Sequence, residues 1–199
     1  MIHGGKMLRK EGFTLIELLV TIVILGILAS IAIPAFSRWY PNYKLRSAAT
    51  DVYSNMQFAK LQAVKENADC AVVFNAGAGT YQVISGGADK DYYTAGDNVI
   101  LRTIGFHIYD DKGNIGYGHA PGANPLDAGR GFDNDITFND ITAGADTIVF
   151  NSRGMIHKQA DSAGEVYLVN QRNTSYLVGV TAIGGILLKK WNTSSADWD

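Results

Sequence analysis

The sequence predicts an α+β domain carried behind one long N-terminal helix, and three patterns predict it. An uncharged apolar run extends from Leu18 to Phe36, interrupted only by Thr21, Ser30 and Pro34. Apolar residues then recur at three- and four-residue spacing, the signature of one buried helix face. The remaining chain alternates short β-branched and aromatic segments with Gly, Asn and Asp turns, the pattern of antiparallel strands in an α+β fold.

About 20 apolar residues at 1.5 Å rise cross the roughly 30 Å hydrocarbon core of a bilayer, so residues 13–36 read as a transmembrane helix. Lys6, Arg9 and Lys10 precede it and hold the N-terminus on the cytoplasmic side, which sends residues beyond Arg38 across the membrane. Leu45, Ala48, Ala49, Val52, Met56, Ala59 and Ala63 continue the helix as an amphipathic segment over residues 37–67, with Lys44, Arg46, Asp51, Lys60 and Lys65 on its other faces. The expectation is one nearly continuous helix from Phe13 to Asn67, about 80 Å long and kinked at Pro34.

Residues 68–199 form the β-rich part. Cys70–Asn75 and Thr80–Ser85 read as a hairpin joined by Ala76–Gly79. Asn98–Tyr109 reads as one strand, or as two broken at Gly105. Asp110–Asn114 is a turn by composition, and Gly113–Asp135, rich in Gly and carrying Pro121 and Pro125, reads as a long surface loop. Strands resume at Asp135–Phe138, Thr147–Asn151, Glu165–Asn170, Ser175–Thr181 and Gly185–Trp191.

Glu17 is the residue that asks for an explanation, because a carboxylate inside a span costs about 3 kcal/mol unless it has a partner or a role. It closes the string Gly12-Phe13-Thr14-Leu15-Ile16-Glu17, which follows a short basic leader and opens the apolar helix. This string resembles the type III signal of type IV pilins and pseudopilins, and Gly26 and Pro34 fall where that family often has a helix Gly and Pro. The resemblance implies that residues 1–12 are a leader, that prepilin peptidase cuts between Gly12 and Phe13, and that Phe13 is N-methylated. The new α-ammonium would lie one helical turn from Glu17. An ordinary signal anchor that tolerates Glu17 is the plain alternative; a secretory signal peptide fits worse, since the span is long and no small-x-small site follows it.

A second, looser likeness lies in Leu45–Val52, Ala59–Val64, Val72–Phe74, Tyr81–Val83, Ile148–Gly154 and Tyr176–Trp191. These are similar to the GspH/FimT branch of the pilin superfamily, which implies a pilin-like fold and a minor subunit of a pilus or secretion pseudopilus. Its partners would be other pilin subunits, prepilin peptidase, an inner-membrane assembly platform and the membrane itself. The precursor would be a single-pass inner-membrane protein with a periplasmic domain, later part of the filament.

Chemistry elsewhere is sparse. Cys70 is the sole cysteine, so no intrachain disulfide forms, and a buried structural thiol is expected. His3 leaves with the leader, while His107, His119 and His157 lack metal-ligand spacing. Two acidic groups, Asp110/Asp111/Asn114 and Asp133/Asn134/Asp135/Asn139/Asp140, suit calcium by atom type but not by the EF-hand register, and Asx turns explain them equally. Asn173 and Asn192 match the glycosylation sequon, of little meaning if the chain is bacterial, as the pilin resemblance implies. No nucleophile elbow or phosphate loop occurs, so the expectation is a non-enzyme without cofactors.

The FimT likeness implies DNA capture through basic residues near the C-terminus, here Lys189-Lys190 beside Trp191. The arginine-rich segment expected after the glycines is replaced by Gly184-Gly185-Ile-Leu-Leu. After loss of residues 1–12 the chain holds 14 basic and 18 acidic residues, a net of −4, which argues against nucleic acid. Three readings remain: a type II secretion pseudopilin, a type IV minor pilin acting in adhesion, motility or DNA uptake, and, remotely, a membrane-anchored periplasmic enzyme.

Overall fold

The computed structural model describes residues 12–199 apart from 95, 126–134, 141–143 and 158–163. One helix, α1 (Leu15–Glu66), runs unbroken through Pro34 and Pro41. The chain divides into two compact units that part between Tyr40 and Pro41.

In the first unit every residue from Phe13 to Tyr40 is exposed. The hydroxyls in this apolar run are satisfied within the helix: Thr21 donates to the Leu18 carbonyl (2.8 Å) and Ser30 to that of Ile27 (2.7 Å). Back-bonding of this kind leaves no hydroxyl unmet for an apolar surrounding to penalise.

The second unit is built on the remainder of α1. Leu45, Ala48, Ala49, Val52, Met56, Ala59 and Ala63 are all at most 1% exposed, so the predicted stripe is the buried face. Four alanines let the backbone approach the strands closely. The helix ends at Glu66, where Asn67 turns left-handed (φ 50°), and the Asn67 and Ala68 N–H groups return to the Val64 and Ala63 carbonyls. This is a Schellman cap with Asn in place of Gly.

Two antiparallel sheets pack on that face. The first has the order β3 (Val99–Gly105), β2 (Thr80–Ser85), β1 (Cys70–Asn75), β7 (Thr147–Phe150). The second runs β11 (Asp197–Trp198), β10 (Ile186–Asn192), β9 (Ser175–Val180), β8 (Gly164–Asn170), β4 (Ile115–Tyr117). A separate two-residue ladder joins β5 (Asn139–Asp140) to β6 (Gly144–Ala145). Val72, Phe74 and Val83 of the first sheet and Val166, Leu168, Val178 and Val180 of the second share one core with α1. The alternate residues Tyr167 and Leu177 face the other way, onto Trp191 and Trp198, so the second sheet is buried on both sides.

Several expectations need correction. Asn98–Tyr109 is not strand throughout: β3 stops at Gly105, and Phe106–Ile108 form a single 3-10 turn, with the Phe106 N–H given to Gly79 and the Tyr109 N–H to Phe106. Gly113–Asp135 is not wholly loop, because Ile115–Tyr117 pair with Leu168–Asn170 at the sheet edge. Asp135–Phe138 is not a strand; it meets β8 through one bridge, Ile136 to Val166. The two-residue β11 had no signal of its own.

Gly184 tests how the turns seat on the helix. Its φ is +78°, its carbonyl accepts Lys60 Nζ at 2.8 Å, and a methyl there would run into the Gly154 carbonyl. Gly122 is also left-handed (φ +80°) but has open space around it. Gly184→Ala should therefore lower the stability of the detergent-solubilised protein by about 2 kcal/mol or more, and Gly122→Ala by about 1 kcal/mol, as read by thermal unfolding. Equal losses would show that the contact with Gly154 contributes nothing.

Candidate functional site: the capped N-terminus and the domain's polar clusters

The helix begins with a reciprocal cap. The Thr14 carbonyl accepts the Leu18 N–H at 3.2 Å, which makes Thr14 the N-cap, and its Oγ1 accepts the Glu17 N–H at 3.3 Å. In return, Glu17 Oε2 accepts the Thr14 N–H (3.0 Å) and the Thr14 hydroxyl (2.9 Å). Thr14-Leu15-Ile16-Glu17 is thus a capping box, carried by the Thr-x-x-Glu signature in the sequence. The Glu17 carboxylate has two hydrogen bonds within its own chain, both through Oε2. Gly12 and Phe13 precede the helix and are exposed.

In the second unit the titratable candidates are dispersed. Cys70 is buried, and burial first, then the charges of Glu66 and Asp69, push its thiol up to about 12, so it stays an inert thiol. His107 is exposed on the 3-10 turn. His119 Nδ1 lies 2.9 Å from Asp135, and His157 Nε2 lies 3.9 Å from Asp69 with its ring against Tyr93. Burial pushes the Asp69 carboxyl up, against the pull of His157. Among the described residues no three His, Cys, Asp or Glu side chains gather to hold a metal.

The acidic groups resolve differently from each other. Asp110 is buried, with Oδ1 on Lys44 Nζ (2.9 Å) and Oδ2 on the Asn114 N–H (2.8 Å), so it pins the 106–114 turn to α1. Burial works against its charge, yet the Lys44 ammonium and the Asn114 amide outweigh it and hold the carboxyl below the usual carboxylate range. Asp111 is exposed. Asp133 and Asn134, and the side chains of Asn139 and Asp140, lie outside the described residues. Of the sequons, Asn173 occupies a left-handed turn (φ 56°), and Asn192 donates to Asp199 at 2.6 Å.

A polar network that periodicity could not reveal lies between α1 and the first sheet. Asp51 accepts the hydroxyls of Tyr81 (3.1 Å) and Tyr109 (2.6 Å), Asn55 donates to Tyr81 (2.9 Å), and Arg102 donates to Asn55 (2.7 Å) while standing 3.8 Å over the Phe58 ring. Burial and the Asp51 charge push both phenols up, so they remain donors. Every group has a partner, and none is placed as a nucleophile or base; the network orients the sheet on the helix.

At the C-terminal strand, Trp191 is 5% exposed and packed edge-on against Trp198, which removes it from any base-stacking role. Lys189 Nζ donates to the Trp198 carbonyl (2.9 Å), and Lys190 is exposed. The Arg46 side chain, distant in sequence, lines the same cleft.

Two family matches cover these features. Residues 7–33 match the prokaryotic N-terminal methylation motif, and residues 48–184 match the type II transport protein GspH. The chain belongs to the GspH family. The first match contains the capped N-terminus and most of the apolar run; the GspH match contains the α1 stripe from Ala48 onward and β1 to β9, and stops before Lys189–Trp191. Among curated proteins, the type IV major fimbrial protein FimA of Dichelobacter nodosus is 36% identical over 101 residues, 44% of this chain and 61% of FimA. The pilin-like protein PilA1 of Thermus thermophilus is 38% identical over 76 residues, 37% of this chain and 47% of PilA1. The chain thus spans roughly half the length of these relatives. Among solved structures, the minor pseudopilin EpsH of the Vibrio cholerae type 2 secretion system superposes with a TM-score of 0.47 at 10% identity, covering 73% of this chain and 95% of EpsH. The type IV minor pilin FimU of Pseudomonas aeruginosa gives 0.48 at 12%, covering 81% and 96%.

Within this GspH-family domain the Asp110 pin has a pH signature. A carboxyl depressed in the folded state adds stability above its unfolded pKa and loses it as pH falls through the folded value. Asp110→Asn should cost about 2 kcal/mol at neutral pH, and the gap to the parent should close in strong acid, below the ordinary Asp pKa of about 4. Chemical denaturation of the solubilised protein at both ends of that range measures it; a gap that persists in acid would remove the charge from the account.

Proposed function

We propose that the chain is a non-enzymatic minor subunit of a type II secretion pseudopilus. The observation that carries this reading is the pairing of a GspH-type domain with a Thr14–Glu17 cap at the head of an exposed apolar helix. The type IV pilus alternative, in adhesion, motility or DNA uptake, is favoured by the fimbrial relatives, whose likeness reaches less than half of this chain.

In the proposed course the precursor is anchored in the inner membrane through residues 13–36, with the domain in the periplasm. Trp39, Tyr40 and Tyr43, all exposed just past the span, suit the headgroup level where amphipathic rings settle. Prepilin peptidase removes residues 1–12, methylates Phe13, and an inner-membrane platform moves the subunit into the filament. The cap explains how Glu17 is tolerated before that step, since Thr14 supplies two donors to its charge. It also leaves Oε1 without a hydrogen bond among the described residues, directed by the helix start and open to the Phe13 ammonium of a neighbouring subunit. Pairing there, in low dielectric, sets axial register because a misaligned carboxylate stays uncompensated.

Gly12→Val should leave the leader attached, since a side chain before the scissile bond blocks a pocket shaped for none. Mass spectrometry of the membrane fraction should find the intact precursor, and a mature chain starting at methylated Phe13 would refute this. Glu17→Gln separates cap from charge, because Gln retains the capping-box hydrogen bonds but cannot pair with an ammonium. Insertion and cleavage should persist while incorporation into sheared filaments falls roughly tenfold or more, the scale of one lost buried ion pair. Normal incorporation would mean that the charge does not set register.

A further inference from the structure

The fold gathers charges that the sequence scatters. Arg46 on α1 and Lys189 and Lys190 on β10 line one cleft of about 350 Å³ together with Tyr176, Leu188 and Asp199. Three cations and one carboxylate leave it net +2. Asp199 is engaged by Asn192, and Lys189 gives one proton to the Trp198 carbonyl. Arg46, Lys190 and the Tyr176 hydroxyl have no hydrogen-bond or ion-pair partner among the described residues. Burial pushes the Tyr176 phenol up, against the pull of the Arg46 charge, so the hydroxyl stays a donor. A guanidinium, an ammonium and a phenol are satisfied together by an anion rich in acceptor oxygens.

The position of Arg46 along α1 selects among such anions. As a whole the unit repels them, since residues 41–199 hold 13 basic against 17 acidic residues. Yet from Ser37 to Thr50, directly after the apolar run, the sequence carries Arg38, Lys44 and Arg46 and no carboxylate. Lys44 is spent on Asp110, whereas Arg46 lines the cleft. Tyr43, one helical turn before Arg46, is exposed and lines a second groove with it. Helical side chains lean toward the N-terminus, so the Arg46 stem leans toward Tyr43, a ring that suits the headgroup level. For a chain anchored through residues 13–36, the phosphate diesters of the leaflet are the anions kept at the highest local concentration.

We propose that the Arg46–Lys189–Lys190 cleft binds the phosphate of an anionic phospholipid headgroup in the membrane that anchors the chain. The inference rests on reading residues 13–36 as that anchor and goes beyond it, giving the domain a second, electrostatic hold on the same bilayer. Arg46 and Lys190 take the phosphate oxygens, Lys189 adds its charge, and the Tyr176 hydroxyl donates a further bond. A headgroup whose only charge is the phosphate fits better than a zwitterionic one, whose ammonium would meet the same cations. Double-stranded DNA fits worse, because its affinity comes from neutralising a run of phosphates and this unit is net acidic. Held in this way the domain stays at the bilayer, and entry into a filament requires giving up the headgroup.

The test offers the purified full chain, in nonionic detergent, equal amounts of phosphatidylglycerol and phosphatidylcholine, with retained lipid counted by native mass spectrometry. The parent should retain phosphatidylglycerol roughly tenfold better, and raised ammonium acetate should erode that preference. Arg46→Gln with Lys190→Gln should bring the two lipids within about twofold of each other. Lys112→Gln with Arg153→Gln, which removes the same charge from exposed positions elsewhere, should keep the preference. Lys189 is left in place because it holds the Trp198 carbonyl, and unchanged thermal unfolding of both variants shows the fold intact. No preference in the parent, or equal loss in the two variants, overturns the proposal. So does displacement of phosphatidylglycerol by equimolar inorganic phosphate, which would make the cleft a free-phosphate site. A gel shift of double-stranded DNA by the parent that Arg46→Gln with Lys190→Gln abolishes overturns it too, since the cleft would then be a nucleic-acid site. Alkaline extraction of cell membranes is scored separately: release of the chain sinks the anchor reading and the headgroup with it, whereas a retained chain without lipid preference sinks the headgroup alone.

Discussion

Everything in the domain depends on a single face of α1 being made of small and apolar side chains. With Ala48, Ala49, Ala59 and Ala63 wholly buried beside Leu45, Val52 and Met56, the helix approaches two sheets closely enough for both to share its core. A larger residue at any of these alanines would overpack a contact made by backbone and β-carbon alone. The same helix, two turns earlier, presents an exposed, uncharged and largely apolar surface from Leu18 to Phe36. One continuous element therefore meets two environments, and the change occurs at Arg38–Tyr43, where aromatic and basic residues replace the aliphatic run.

Polar groups are handled by the same economy in both parts. In the apolar half, Thr21 and Ser30 return their hydroxyl protons to the helix, and Thr14 and Glu17 cap each other. In the domain, Asp110 is met by Lys44 and Asn114, and Asp51 by two tyrosine hydroxyls. A buried polar group with a partner missing costs about 1–3 kcal/mol, so each of these sites constrains geometry more strongly than it adds affinity.

The second sheet has a device that the first lacks. Its outer face is covered by Trp191, Trp198, Tyr167 and Leu177, and the Trp198 indole N–H is anchored on the Asn124 carbonyl at 2.7 Å. That cluster lets β8 and β9 be apolar on both faces, and of its members only Trp191 and Trp198 lie beyond the residues that match the GspH family.

The sequence by itself determined the fold class, the span, the helical stripe, the first hairpin, and the Gly12–Glu17 string, because each is written in local periodicity or in contiguous residues. Its omissions follow physical lines. The Thr14–Glu17 cap is written locally as Thr-x-x-Glu, but whether the carboxylate turns back onto Thr14 depends on where the helix starts. Ile115–Tyr117 and Asp197–Trp198 became strands only because neighbouring strands offered edges to short segments without strand patterns of their own. Phe106–Ile108 left the strand because Gly79 and Phe106 claimed the backbone bonds a ladder would need. The union of Arg46 with Lys189 and Lys190, and of Asp51 with Tyr81 and Tyr109, spans tens of residues, and no periodicity encodes which distant side chains will share a cleft. Only the tertiary structure decided those, since long-range contacts are set by how elements pack and not by what each residue prefers locally.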